Sequence, residues 1–204
     1  MLFYRVLEKE TKKILPVFKN LKKDFYLAGG TGLALQLNHR RSYDLDFFST
    51  EHFEPNKVFN QLEKQENLRL FKKLQDKSAL FVEINDISVN FLYSKYKLIK
   101  KPIEDKYLKV AHFIDIACLK LSALTERIEY RDYVDIYFVL QEISLKELIK
   151  YFEKKIYDID PGFVLKCLVA FEDVQEEKLE LFKKVSFKKI KDFILNEVRK
   201  IVML

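Results

Sequence analysis

Gly29-Gly30-Thr31-Gly32-Leu33-Ala34-Leu35 follows a short apolar and aromatic segment, residues 25–28. That segment is typical of a buried strand, which the paired glycines interrupt. Glycine allows unusual backbone dihedrals and close approach of the backbone to a ligand, and we expect Thr31 to cap a following helix. A strand, two glycines and a helix N-terminus favour phosphate binding, because free N–H groups and the positive end of the helix dipole face the anion. A tight turn without a ligand would also explain the glycines taken alone.

Two carboxylates follow in the segment His39-Arg40-Arg41-Ser42-Tyr43-Asp44-Leu45-Asp46. Residues 43–48 are otherwise mostly apolar and aromatic, which predicts a second strand. Alternate residues of a strand point to one face, so Asp44 and Asp46 are expected side by side, opposite Leu45 and Phe47. Two neighbouring carboxylates repel each other, and a divalent cation with a preference for oxygen ligands, Mg²⁺ or Mn²⁺, would remove that conflict. A solvent-exposed acidic edge strand is the alternative.

Both segments resemble the signature of the AbiEii/AbiGii toxin family, whose members are DNA-polymerase-β-like nucleotidyltransferases. The matching positions run from Gly29 to Phe48. A second block, residues 115–124 followed by Arg127 and residues 131–136, is similar to the family's helical lysine and aspartate motifs. The two blocks together span about residues 25–140, and the pair is more specific than either block alone.

The resemblance implies an enzyme that moves a nucleoside monophosphate from an NTP to a hydroxyl acceptor, with pyrophosphate leaving. It also implies Mg²⁺ or Mn²⁺ as cofactor and a toxin of a toxin–antitoxin or phage-defence pair, with a cognate antitoxin as partner. Related toxins modify tRNA 3′ ends, so tRNA is an expected acceptor. Alternatives are a transferase acting on a small-molecule or protein hydroxyl, a non-catalytic nucleotide-binding protein, and a helical interaction module.

The predicted site draws on both blocks. The expected metal ligands are Asp44, Asp46 and Asn90. The expected nucleotide-binding residues are Gly29, Gly30, Thr31, Arg40, Ser42 and Lys120. The expected catalytic residues are Asp44, Asp46, Lys120 and Asp132. Arg40 could instead be a surface arginine, and Asp132 could serve only as a favourable charge near a helix N-terminus.

Asn90 is the position where the chain departs from the family's pattern. Polymerase-β-like enzymes take a third carboxylate from a neighbouring strand, which here corresponds to residues 87–93, after a hairpin turn at Asn85-Asp86. Asn90 aligns with that carboxylate and offers only a neutral carbonyl oxygen. Glu83 on the adjacent strand is an alternative third ligand, and slow or lost catalysis is another reading of the same substitution.

Lys120 lies in a segment that is otherwise largely apolar and helical in pattern. Burial of a lysine is costly unless its ammonium group meets an anion, and a triphosphate would be that anion. The alternative places Lys120 on an exposed stripe of the helix.

Net charge and cysteine usage indicate which partners and which cellular location to expect. The 204 residues carry a net charge of +6, which suits a polyanionic partner such as RNA. Cys118 and Cys167 lie among apolar residues and are expected to be buried free thiols. No segment is long enough to span a bilayer, so we expect a cytoplasmic protein without a membrane partner.

The order of elements predicts fold class α/β, an α+β arrangement with a mixed sheet. Residues 1–110 are expected to form a minimal nucleotidyltransferase core, and residues 111–204 a helical part packed on that core as one unit. A helix over 4–22 should break at Pro16, and residues 95–109 should form a loop. The other expected elements are a helix at 55–65, β segments at 68–74, 79–84 and 87–93, and helices at 114–127, 131–142, 144–155, 161–171 and 186–202.

Overall fold

The computed structural model describes residues 1–202. They form two compact units, one from Met1 to His112 and a second that starts at Phe113. Every strand of the described chain lies in the first unit, and the second unit is helical. The mixed α/β fold class expected from the sequence is confirmed. Within residues 1–202, no helix has both the length and the apolar character needed to cross a membrane.

The first unit is built on a mixed sheet, which has seven strands in the described chain. The strands are β1 Tyr26–Leu27, β2 Leu45–Ser49, β3 Leu70–Gln75, β4 Ala79–Ile84, β5 Ile87–Tyr93, β6 Ile103–Glu104 and β7 Lys109–Val110. Their order in the sheet is β3-β4-β5-β2-β1-β7-β6. β2 runs parallel to β5 and antiparallel to β1, so the strand expected to carry the carboxylates lies inside the sheet.

Three helices belong to the first unit: α1 Lys9–Ile14, α2 Gly29–Leu37 and α3 Pro55–Glu63. The expected break at Pro16 is confirmed, because α1 ends at Ile14 and a 3-10 segment, Leu15–Asn20, follows. Proline lacks the N–H that an α-helix interior requires, which accounts for the change.

The connections of the sheet agree with the sequence in one place and differ in another. The hairpin at Asn85 and Asp86 is confirmed, with φ angles of 50° and 66° that are typical of a type I′ turn. The expected loop over residues 95–109 is wrong in part, because β6 and β7 lie within it or at its end and pair with each other. Two-residue strands carry no recognisable periodicity, and the pairing of β6 with β7 and of β7 with β1 defines them.

The two faces of the central strands differ sharply in burial. Leu45 and Phe47 of β2 are buried, and the ring of Phe47 lies 4.6 Å from that of Phe18 and 5.3 Å from that of Phe91. On the opposite face, Asp46 is only partly buried. The alternation expected for β2 is therefore present, and it keeps the carboxylate of Asp46 out of the apolar core.

The second unit contains α4 Phe113–Ala123, α5 Tyr130–Val139, α6 Leu145–Lys155, α7 Pro161–Leu168 and α8 Phe187–Val202. Asp115 of α4 and Lys155 of α6 form an ion pair at 2.9 Å with both side chains fully buried. Burial, together with the charge of Asp115, raises the pKa of the Cys118 thiol to about 12. Cys118 is buried as expected, whereas Cys167 is only half-buried, because α7 turns that side chain partly toward solvent.

The Asp115–Lys155 pair yields a stability prediction. Lys155→Met leaves a buried carboxylate without its cation, so the free energy of unfolding should fall by roughly 3–5 kcal/mol in urea denaturation. The double variant Asp115→Leu with Lys155→Met should recover most of that loss, because an apolar pair of similar volume avoids the desolvation of two charges. Equal losses in the single and double variants would contradict this account.

Candidate active site

The junction between β1 and α2 lies directly against β2. The Ala28 N–H donates a hydrogen bond of 2.8 Å to the carbonyl of Asp46. Gly29 has a φ of +60°, and a Cβ at that position would lie 2.2 Å from Oδ2 of Asp46. Both the dihedral and the missing side chain are therefore required, since any other residue would displace the carboxylate.

The start of α2 presents backbone donors beside that carboxylate. The first intrahelical bond runs from the N–H of Gly32 to the carbonyl of Ala28 at 2.8 Å. The N–H groups of Gly29, Gly30 and Thr31 precede that bond and have no intrahelical acceptor. They also lie at the positive end of the helix dipole, which favours negative charge, so the arrangement suits a phosphate group.

Thr31 has a different role from the cap expected for it. α2 begins two residues before Thr31, after Ala28, and its N-cap has no side-chain hydrogen bond. The Thr31 hydroxyl donates to the carbonyl of Asp44 and lies 2.7 Å from the hydroxyl of Ser42. The prediction of a cap was wrong because the buried hydroxyl bonds to the segment before β2 instead. These hydrogen bonds connect that segment to α2.

Asp44 and Asp46 flank a buried residue at the start of β2. Asp44 immediately precedes the strand and is exposed, Leu45 is fully buried, and Asp46 is partly buried. This alternation agrees with the expectation that the two aspartates share a face. The alternative of an acidic edge strand is wrong, because β2 lies between β5 and β1.

Arg40 is buried at the N-terminus of α2. Arg40 is only 4% exposed. A Cβ on Gly30 would lie 2.4 Å from the Nη2 atom of Arg40, so the guanidinium group occupies that space. Nη1 donates to the carbonyl of Arg41 at 3.1 Å. The alternative of a surface arginine is therefore wrong, and a guanidinium group lies against the helix N-terminus, where it adds positive charge for an anion.

Asn90 lies next to Asp46, at the position expected for a third ligand. The two residues are register partners across the parallel strands β2 and β5. The Asn90 Nδ2 donates to Oδ1 of Asp46 at 2.8 Å. Glu83 is opposite Ser88 instead and forms an ion pair with Lys73 of β3.

The donor set of this site consists of oxygens. The carboxylates of Asp44 and Asp46 and the amide oxygen of Asn90 suit a hard divalent cation. The close fit of Asp46 against Gly29 keeps its carboxylate beside the start of α2. Within residues 1–202, no three His, Cys, Asp or Glu side chains are grouped as a complete metal site. The residues present fit a divalent cation in the type of their donor atoms.

Lys120 is buried in α4 and meets two carboxylates of α5. Its Nζ lies 2.5 Å from Oδ1 of Asp132 and 2.9 Å from Oδ2 of Asp135, and both aspartates are fully buried. The exposed-stripe alternative is wrong. The anions that accompany the lysine in the structure are protein carboxylates, and binding of a triphosphate by Lys120 stays a prediction. Asp135 was not predicted as a partner, although its i, i+3 spacing from Asp132 places both on one helix face.

Two arginines extend this cluster. The Nε of Arg127 lies 3.3 Å from Oδ2 of Asp132, and Arg131 donates to Glu129 at 2.6 Å. Burial works to raise the pKa of Glu129, but the hydrogen bond from Arg131 and the charges of Arg127 and Arg131 outweigh it and lower that pKa. The carboxylates of the cluster are thus matched by cations.

Comparison with known proteins supports the resemblance. The profile of a family described as "Nucleotidyl transferase AbiEii toxin, Type IV TA system" matches residues 97–199. The chain belongs to the AbiEii family. The matched range includes the buried Lys120–Asp132–Asp135 cluster.

Other similar proteins extend over most of the AbiEii chain. A protein of Aquifex aeolicus strain VF5 is 35% identical over 184 residues, covering 86% of this chain and 88% of its own length. MenT4, a nucleotidyltransferase toxin from Mycobacterium tuberculosis H37Rv, superposes with a TM-score of 0.60 at 16% identity, covering 96% of this chain and 82% of its own. JHP933 from Helicobacter pylori superposes with a TM-score of 0.59 at 18% identity, covering 96% of this chain and 93% of its own. The two structures show the same fold.

The junction at Gly29 yields a second prediction. Gly29→Ala should lower the melting temperature, because the left-handed backbone costs a non-glycine residue about 1–2 kcal/mol and the new methyl group meets Asp46. Gly30→Ala should cost less, because its φ is not in that region and its Cβ meets the end of the Arg40 side chain. Thermal denaturation of both variants checks the order, and a larger loss for Gly30→Ala would contradict it.

Proposed function

We propose that this protein transfers a nucleoside monophosphate from an NTP to a hydroxyl of an RNA acceptor such as tRNA. We further propose that it acts as the toxin of a toxin–antitoxin pair and is neutralised by a cognate antitoxin. Membership of the AbiEii family supports transferase activity. The observation that carries the proposal is the Asp46 carboxylate held against the unpaired N-terminal turn of α2.

The phosphate side of this proposal uses the start of α2. The N–H groups of Gly29, Gly30 and Thr31 and the guanidinium of Arg40 would bind the β- and γ-phosphates, and Ser42 holds Thr31 in place. Phosphoryl transfer depends on positioning and charge stabilisation more than on covalent chemistry. The backbone of this turn would be pre-organised for both, because Thr31 ties it to Asp44 at the start of β2.

The metal side uses Asp44, Asp46 and Asn90. A divalent ion such as Mg²⁺ or Mn²⁺ bound there would supply neutralisation of phosphate charge and a lowered pKa of the acceptor hydroxyl. In the reaction, the acceptor oxygen forms a bond to the α-phosphorus of the NTP. The bond from that phosphorus to the bridging oxygen breaks, pyrophosphate leaves with the electron pair, and the hydroxyl proton passes to solvent. The roles predicted for Lys120 and Asp132 in transfer stay predictions.

The distribution of charge supports a polyanionic acceptor. The first unit has 21 lysines and arginines against 14 aspartates and glutamates, a net charge of +7. The second has 16 against 17, a net charge of −1. The positive charge of the chain therefore resides in the unit that carries the phosphate-binding turn, where it would attract nucleic acid.

Asn90 favours one second candidate, a nucleotide-binding protein without turnover. The amide at this position is neutral and donates to Asp46, where a third carboxylate would bind a cation. Binding of NTP without any transfer is the result that would distinguish this candidate.

Asp46 provides the direct test of transfer. Each NTP, labelled at the α-phosphate, is incubated with the protein, Mg²⁺ and total tRNA, and labelled tRNA is separated by electrophoresis. Asp46→Asn should lower the labelling rate by at least about a hundredfold, because a bound metal ion supplies several kcal/mol of transition-state stabilisation. Its melting temperature should hold or rise, because one of two neighbouring like charges is removed.

Asp24→Asn is the matched control, because Asp24 is exposed and pairs only loosely with Lys23, at 3.8 Å. It should leave both labelling and melting unchanged. Wild-type turnover in Asp46→Asn would exclude Asp46 as a metal ligand, and no labelling of any acceptor by the wild-type protein would refute transfer.

Asn90 generates a separate prediction on metal affinity. Asn90→Asp adds one negative charge beside Asp46, so the Mg²⁺ concentration needed for half-maximal transfer should fall. Calorimetric titration with Mn²⁺, without nucleotide, should show tighter binding by the same variant. If Asn90→Asp changes neither quantity while Glu83→Gln abolishes transfer, Glu83 is the third ligand.

A further inference from the structure

The sheet face that carries Asp46 continues across β5 and β4 to the β3 edge, where β3 has a bulge between Lys72 and Leu74. Asp46 of β2 is the register partner of Asn90 in β5. Asn90 is in turn paired with Phe81 in β4, and Phe81 is paired with Leu74 in β3. Directly paired residues project to the same face. Phe71, opposite Glu83, lies on that face as well. We call Asp46, Asn90, Phe81, Leu74 and Phe71 the acceptor face.

The outer part of the acceptor face is apolar and solvent-exposed. Phe71 is 57% exposed and Leu74 is 62% exposed, while Phe81 is half-buried. On the opposite face of the same strands, Val82 is fully buried and Lys72 covers the ring of Phe59 at 4.2 Å. The core is therefore on the other side, and packing of this unit does not explain why two large apolar side chains of β3 point outward together.

Basic side chains, two of which pair with carboxylates, flank these apolar side chains. Residues 69–77 contain four basic side chains and one acidic side chain. Lys73 contacts Glu83 and so lies on the acceptor face, and Arg69 contacts Asp86 at the hairpin. Lysines on an edge strand also discourage pairing with another strand, but that function requires no exposed phenylalanine. Aromatic side chains interleaved with cations are the features with which proteins bind unpaired nucleotides.

We propose that the acceptor face binds the single-stranded 3′ end of an RNA, with its terminal hydroxyl at Asp46 and the preceding bases stacked on Phe81 and Phe71. This assignment rests on the proposed function, since it names the form of RNA that the same site accepts. Three steps between adjacent strands separate β2 from β3, about 14 Å in all, a distance that a few nucleotides span. The face thus leads from the reacting atoms to the edge of the sheet.

The chemistry of the face favours a single strand over the alternatives. Stacking on an aromatic ring requires a base whose face is free, and a duplex buries those faces between neighbouring pairs. A partner protein that adds a strand would use the backbone of β3, for which Phe71 and Leu74 are not required. Contacts to the ribose-phosphate chain would come from Lys73, on the same face.

The test measures binding without NTP, by fluorescence anisotropy. The probe is a fluorescein-labelled single-stranded RNA of about ten nucleotides with a free 3′-hydroxyl, and a blunt RNA duplex of equal length is the comparison. Phe71→Ala should weaken binding of the single strand about tenfold, because stacking on one ring is lost. Phe71→Tyr, which keeps an aromatic ring, should bind within about twofold of the wild type.

Phe163→Ala is the matched control. Phe163 is a phenylalanine of α7 that is 50% exposed, close to the exposure of Phe71. This variant should leave the RNA affinity unchanged. Lys73→Gln should reduce the slope of log affinity against log salt by about 0.7, as expected for one phosphate contact on a single strand.

The outcomes separate this proposal from the proposed function. Equal RNA affinity in Phe71→Ala and Phe163→Ala would overturn the assignment, as would equal binding of the blunt duplex. The exposed side chains would then be a protein contact. If Phe71→Ala weakens RNA binding but no NTP labels the RNA, RNA binding by the acceptor face is supported and nucleotidyl transfer is refuted. If Phe71→Ala labels RNA at the wild-type rate under limiting RNA, nucleotidyl transfer is supported and the assignment of the acceptor face is refuted.

Discussion

The site depends on one close approach, between the backbone at Gly29 and the carboxylate of Asp46. The Ala28 N–H binds the Asp46 carbonyl, which aligns the start of α2 with the start of β2. Because Gly29 has no side chain and a positive φ, the carboxylate can lie directly beside the helix N-terminus. The proposed phosphate-binding donors and the proposed metal-ligating carboxylate thereby lie side by side, as a nucleotide phosphate with its metal would require.

The second unit meets a different constraint, which is the burial of charge. Asp132 and Asp135 lie within hydrogen-bond distance of the buried Nζ of Lys120, and Asp115 pairs with Lys155 in the same way. Charges removed from water require partners, since the desolvation penalty of an isolated ion is several kcal/mol. The family match covers these residues, and their pairing shows that the lysine–aspartate motif organises the interior of the helical unit.

Local pattern was enough to predict much of the fold, and its failures have identifiable causes. The alternation around Asp46 and the turn at Asn85 and Asp86 were predicted correctly, because side-chain period and left-handed dihedrals are local properties. The cap expected at Thr31 was wrong, because its hydroxyl found an acceptor in a segment eleven or more residues away. The strands β6 and β7 were missed, because pairing with each other and of β7 with β1, rather than sequence period, defines them.

The sequence by itself determined the fold class, the family resemblance and the residue types of the candidate site. Strand period, glycine spacing and carboxylate spacing are local patterns that can be read from consecutive residues. Only the tertiary structure decided which groups meet. It placed Gly29 against Asp46, Arg40 over Gly30 and Asn90 beside Asp46. It also gave Lys120 two carboxylates as its anions and aligned Asp46 with the exposed side chains of β3. These contacts join residues far apart in the chain, and strand register and burial, which no local pattern specifies, set them.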